Sequence, residues 1–144
     1  MISAIVSDPY LLGKIAANHA ISDIIAVNSK LISALMILQL PYSNSEINSR
    51  DLEQVTSGAR EVFELANCSI GGGHTMIGID KDPVIGFSVI GEKKSVNNKT
   101  LSKLKENDIL ILTERIGSGI IFAGINSDII DLKQFRLGFI FYVF

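Results

Sequence analysis

At 144 residues the chain is long enough for one domain, or one domain and part of a second, and it can bury roughly two thirds of its unfolded surface. A net charge of −2 gives no basic field for nucleic acid, and no apolar stretch reaches the roughly 20 residues that cross a bilayer, so neither nucleic acid nor membrane is an expected partner. With 47% hydrophobic and 19% charged residues and a mean hydropathy of +0.36, the chain is more apolar than a lone soluble domain requires, which points to a covered interface.

The single cysteine, Cys68, excludes an internal disulfide and makes a reducing, cytoplasmic compartment the expectation. Met1 to Tyr10 lacks the basic start and apolar run of a secretory signal. Asp8-Pro9 reads as an N-cap followed by proline at the first helical position, and Leu12, Ile15, Ala16, His19, Ile21, Ile24 and Ile25 recur near helical spacing. The pattern predicts a helix over 9–26. Lys30 to Leu40 is an apolar run closed by Pro41; it reads as a buried strand, although length alone also admits a helix. The polar, turn-rich "PYSNSEINS" reads as a loop. Leu52, Val55, Ala59, Val62, Phe63 and Ala66 form a stripe at three- and four-residue spacing, predicting a helix over 49–66 capped by Ser49.

A glycine loop, "CSIGGGHTM", follows at 68–76. Residues 83–91 read as a strand, 92–100 as a polar connection, 101–105 as a short turn and 108–113 ("DILILT") as a short buried strand. "ERIGSGIIFAG" reads as a strand end turning through glycines into a helix, and the apolar tail "RLGFIFYVF" as a buried strand or the scar of a truncated chain. The mixture of helices and strands argues α/β or α+β.

Gly71, Gly72 and Gly73 lack Cβ atoms, so their backbone can approach a ligand and converge N–H groups on an anion, with Thr75 and His74 as further donors. On these residues alone the bland reading, a tight helix-to-strand turn, stands beside the phosphate-facing one. His19 and Asp23 are four apart and share a helix face; Asp23 suits Mg²⁺, which takes few carboxylates plus phosphate oxygens and waters, or is a solvated acid. No cluster has zinc spacing and no nucleophile elbow is present. Lys93, Lys94, Lys99, Lys103 and Lys105 lack interleaved aromatics and read as a solvated hairpin, while "RIGSGI" lacks the lysine and spacing of a P-loop.

Three stretches in order, "DPYLLGKIAANHAISDIIAV", "GGHT" and "DILILTERIGSGI", resemble selenophosphate synthetases (selenide, water dikinases), within the aminoimidazole ribonucleotide synthetase-like superfamily. The resemblance runs from about residue 7 to about residue 124. It implies an α+β fold: 1–92 as a partial N-terminal ATP-binding and dimerisation domain with a mixed or antiparallel sheet and helices on one face, 93–107 as a linker, and 108–144 as the start of a C-terminal domain with a divergent tail. It implies a homodimer, ATP and Mg²⁺ at the interface, and a reaction taking ATP, selenide and water to selenophosphate, AMP and phosphate.

By the same resemblance Asp23 falls on a Mg²⁺- and ATP-binding carboxylate, and Gly72, Gly73, His74 and Thr75 fall on an ATP-contacting turn supplied across the dimer. The family's catalytic Cys or selenocysteine, its Lys and further metal aspartates precede the matched region. Cys68 matches no nucleophile position, and the family's asparagine before A-x-SD is His19 here, with Asn18 displaced by one. No catalytic residue is therefore assigned, and the chain alone is expected to be inactive. Another ATP-using member of the superfamily, of purine-synthesis ligase, thiamine-phosphate kinase or hydrogenase-maturation type, and a non-enzymatic dimerisation module are the alternatives.

Overall fold

The computed structural model describes residues 2–3, 6–93, 105–112, 116–127 and 129–130. Contacts divide the chain into two units, Met1–Asn98 and Lys99–Phe144.

The first unit is α+β. Helix α1 (Pro9–Ala26) starts where the sequence places it, with the Asp8 carboxylate accepting from the Leu11 N–H at 3.1 Å and Pro9 in the first turn. Helix α2 (Ser45–Leu65) starts four residues before the predicted Ser49: Asn44 is the cap, accepting from the Ile47 N–H at 2.8 Å. Its first turn is polar apart from the exposed Ile47, so the apolar stripe does not reveal it. Both helices end on an asparagine in the left-handed region, Asn28 at φ 52° and Asn67 at φ 53°. After α2 this is a Schellman-type end, the Cys68 N–H donating to Phe63 O and the Asn67 N–H to Glu64 O, both at 2.9 Å.

Strands β1 (Ile2–Ser3), β2 (Ser29–Pro41), β3 (Ser69–Gly78) and β4 (Val84–Lys93) form one mixed sheet in the order β1-β4-β2-β3. β2 runs parallel to β3 and antiparallel to β4, and β1 is antiparallel to β4. Alternation along β2 buries Leu31, Ala34, Met36, Leu38 and Leu40 beneath the helices and leaves Ile32, Leu35 and Ile37 exposed. The core joins Ala17 and Ile21 of α1, Ala59, Val62 and Phe63 of α2, and Leu31 and Ala34 of β2. Phe63 and Phe87 meet edge-on with centroids 5.0 Å apart. Neither helix of the first unit covers the other face of the sheet. There Leu35, Ile37, Met76 and Ile90 are 39–55% exposed, and the apolar excess of the composition finds its place.

In the second unit, α3 (Ser118–Asn126) follows Gly117 at φ 113°, matching the expected glycine-to-helix turn. The predicted strand at 108–113 is not formed over 108–112, where Ile109, Leu110, Ile111 and Leu112 are exposed and no described strand pairs with them. β propensity makes a strand only when a neighbour supplies the ladder. The expected turn at 101–105 lies outside the described residues apart from Lys105, as does the apolar tail. No helix among the described residues is long and apolar enough to cross a membrane.

The two helices of the first unit touch backbone to backbone. A Cβ on Gly13 would lie 2.1 Å from Val55 O, and one on Gly58 2.0 Å from Tyr10 O. Beside this crossing Glu61 takes the Tyr10 hydroxyl and the Lys14 ammonium, the latter at 2.8 Å. The Lys14 hydrogen bond, then that of Tyr10, holds the Glu61 carboxyl below its ordinary range, and the bond to Glu61 holds Lys14 above its own.

Two expectations follow. Alanine at Gly13 gains about 1 kcal/mol of helix propensity but must push α2 away, an overpacking cost of about 1–3 kcal/mol. Gly13→Ala therefore lowers the melting temperature; an unchanged or raised value contradicts the close crossing. A lowered carboxylate stabilises above its unfolded pKa and loses this as pH falls through the lowered value. A raised ammonium stabilises below its unfolded pKa and loses this as pH rises through the raised one. Glu61→Gln should thus lower stability at neutral pH by at most ~1 kcal/mol, the pair being part exposed, with the deficit vanishing in acid below the usual glutamate range and at pH above the usual lysine range. Melting curves across pH measure it.

Candidate functional site

The glycine run is not a turn. Ser69 to Gly78 is one strand, and the helix-to-strand turn lies upstream, at Asn67. A short apolar-poor, glycine-rich segment signals a loop in sequence, but pairing with β2 overrides it. β3 is an edge strand: no described strand pairs with its outer side, which leaves backbone N–H and C=O groups available.

The register assigns each residue of the segment a face. Ile70 pairs with Ala34, Gly72 with Leu35, Gly73 with Met36, His74 with Ile37 and Thr75 with Leu38, leaving Gly71 as an extra residue in a bulge. Gly72 and His74 therefore share the helix-free face with Leu35 and Ile37, whereas Gly73 and Thr75 lie on the helix side with buried Met36 and Leu38. All five residues from Gly71 to Thr75 are exposed. Gly73 has a structural duty as well: a Cβ there would sit 2.0 Å from Met36 O.

Asp23 lies elsewhere in the same unit. It is exposed on α1, a helix that packs on α2, β4 and β2, while α2 is the helix that reaches β3. His19 is also exposed one turn earlier, with Ser22 Oγ donating to its carbonyl at 2.7 Å. Gly72 to Thr75 thus form one contiguous segment, and Asp23 is not part of it within one copy. No group of three or more His, Cys, Asp or Glu among the described residues can hold a metal ion. A single exposed carboxylate such as Asp23 suits an ion that also takes phosphate oxygens and waters.

The remaining reactive groups serve the fold. Cys68 is buried, and burial pushes its thiol up, the opposite of what a nucleophile needs. An open concavity of about 370 Å³ along α2, lined by Ser49, Leu52, Glu53, Thr56, Ser57 and Arg60, contains neither Asp23 nor any residue of β3. Sequence reading missed the Tyr10–Lys14–Glu61 cluster, whose members are 47 and 51 residues apart and meet only through the helix crossing. It also missed the role of Gly71, which only the register reveals.

Residues 1–92 match the family model for AIR synthase related protein, N-terminal domain, and the chain belongs to that family. More particularly, it is similar to selenide, water dikinases. It is 32% identical over 136 residues to that of Caldanaerobacter subterraneus subsp. tengcongensis, covering 92% of this chain and 37% of the relative. It is 38% identical over 118 residues to that of Aeromonas salmonicida, covering 81% and 33%. The chain spans about a third of the length of these relatives. Among solved structures, thiamine monophosphate kinase from Aquifex aeolicus superposes with a TM-score of 0.55 at 22% identity, over 65% of this chain and 32% of that one. AaThiL complexed with AMPPCP and TMP superposes with a TM-score of 0.52 at 25% identity, over 61% and 27%. These neighbours share this chain's fold over the covered part.

Exposure and packing separate two neighbouring positions of β3. His74→Ala should leave stability within about 0.5 kcal/mol, as for an exposed side chain without partners. Gly73→Ala should cost about 2 kcal/mol or more, because β2 and β3 must part. Denaturant unfolding of both variants tests this, and equal midpoints would contradict the register.

Proposed function

We propose that this chain carries a nucleotide-binding domain of the selenophosphate synthetase type, in which ATP lies between two copies. The observation that carries the reading is the family match over 1–92, which spans both Asp23 and Gly72 to Thr75, joined to the likeness to selenide, water dikinases. Within one copy Asp23 is on α1 and the segment is on the edge strand β3, and the reading sets Asp23 of one copy beside the segment of the other. The exposed apolar face beside β3 supports such pairing, since Leu35, Ile37 and Met76 are the kind of surface a second sheet covers.

In this arrangement the N–H groups that alternate onto the free edge of β3 along Gly72 to Thr75 face the phosphates, and His74 and Thr75 add side-chain donors. Asp23 of the other copy supplies one oxygen to Mg²⁺ carried by ATP. When bound, that ion offsets phosphate charge, on which phosphoryl transfer depends. The chain's own residues bind and orient; none among those described is placed as nucleophile or general acid. Residues 93–107 act as a linker and 108–144 begin a second domain. The selenide-dependent dikinase reaction, with selenide and water as co-substrates, belongs to an assembly richer in carboxylates than this chain alone. The purified chain by itself makes no AMP from ATP and selenide.

Calorimetry with Mg²⁺–ATP tests the reading. Wild-type chain should bind at millimolar ligand or below, and Asp23→Asn and His74→Ala should each bind more weakly. A mixture of the two variants should recover part of the heat, because mixed pairs keep one site with both groups intact. Absence of heat in the wild type would favour a pure dimerisation module. Binding without recovery on mixing would place the site within one copy.

A further inference from the structure

A one-residue slip of a strand sends every following side chain to the opposite face. Past the bulge in β3 such a slip would exchange His74 with Thr75 and Met76 with Ile77. The first exchange swaps polar for polar and the second apolar for apolar, and all four residues are exposed, so packing scarcely distinguishes the two registers. What does change is where the imidazole and the hydroxyl point. In the observed register the ring lies on the helix-free face beside Ile37, and the hydroxyl lies on the helix side beside Leu38. A ligand lying along the free edge then meets one donor from each face.

We propose that the register of β3 past its bulge, which puts His74 and Thr75 on opposite faces, is what positions these two donors for the nucleotide, and that Gly71 is dispensable to it. As the extra residue between Ile70 and Gly72, Gly71 is absorbed in the bulge, so its removal leaves those faces unchanged. It is a spacer and not a ligand contact, so only Gly72 and Gly73 of the triplet are required. A Cβ at Gly71 would meet only the movable Ser33 Oγ, at 2.9 Å, unlike Gly73 against the Met36 backbone. The role in ligand positioning rests on the nucleotide reading above; the register itself does not.

The test compares the full wild-type chain with a deletion of Gly71 and with an insertion of one further glycine after it. Methyl NOEs from the His74 ring report its face, and Mg²⁺–ATP calorimetry reports binding. Deletion removes the odd residue, so the ring should stay against Ile37 and affinity should remain within about threefold of wild type. Insertion breaks the parity, so the ring should move to Leu38 and affinity fall about tenfold or more, roughly 1.4 kcal/mol. A ring that moves on deletion, or that stays against Ile37 on insertion, overturns the register claim. A moved ring with unchanged affinity overturns the positioning role. Should the insertion variant fail to fold, exchanging the two residues as H74T/T75H keeps the length and must give the same tenfold loss; wild-type affinity there overturns the proposal. If wild type binds no nucleotide, the nucleotide reading and the positioning role fall together, and the NOEs still decide the register.

Discussion

The alternation along β2 is the constraint on which the rest depends. This strand sits between a parallel and an antiparallel neighbour, and every second residue from Ala34 to Leu40 lies beneath the helices. The interleaved positions include Leu35 and Ile37, which are apolar and uncovered. A strand apolar on both faces is suited to a sheet covered on both. One cover, α1 and α2, comes from the same chain and is drawn tight by Gly13 and Gly58. The second cover is the one the proposed function assigns to another copy.

The same alternation, carried across the ladder to β3, decides what the glycine segment can do. An edge strand with three glycines offers open backbone and little side-chain bulk, which makes it suitable for close approach by a ligand. Its placement also divides the candidate site. Asp23 stands on a helix that packs over β4 and β2, and His74 lies on the face of β3 away from the helices. Among the described residues Asp23 belongs to no group of three or more metal-ligating side chains, which suits an ion that brings phosphate oxygens with it.

Much of the α+β architecture was legible in the residues. Asp8-Pro9 announced α1, the Val55–Ala59–Val62 stripe announced α2, and the run ending at Pro41 announced β2. The errors have physical causes. Ser45 to Asn48 form a turn of helix because Asn44 caps it, yet polar residues in a first turn look like loop. Gly71 to Gly73 look like a turn in sequence because glycine favours turns, but Asn67 takes the left-handed conformation that the chain reversal requires. Residues 108–112 have strand composition without a described partner strand. The site residues could be named from resemblance, but their faces could not, since a single bulged residue reverses that assignment without altering composition.

The account turns on the helix-free face being covered by a second copy. Isotope-filtered NOE spectroscopy on an equimolar mixture of labelled and unlabelled chain reads this directly. Contacts between copies from the methyl groups of Leu35, Ile37 and Met76 are the predicted result. A monomeric chain, or a dimer whose intermolecular contacts all arise from the outer surfaces of α1 and α2, would contradict it.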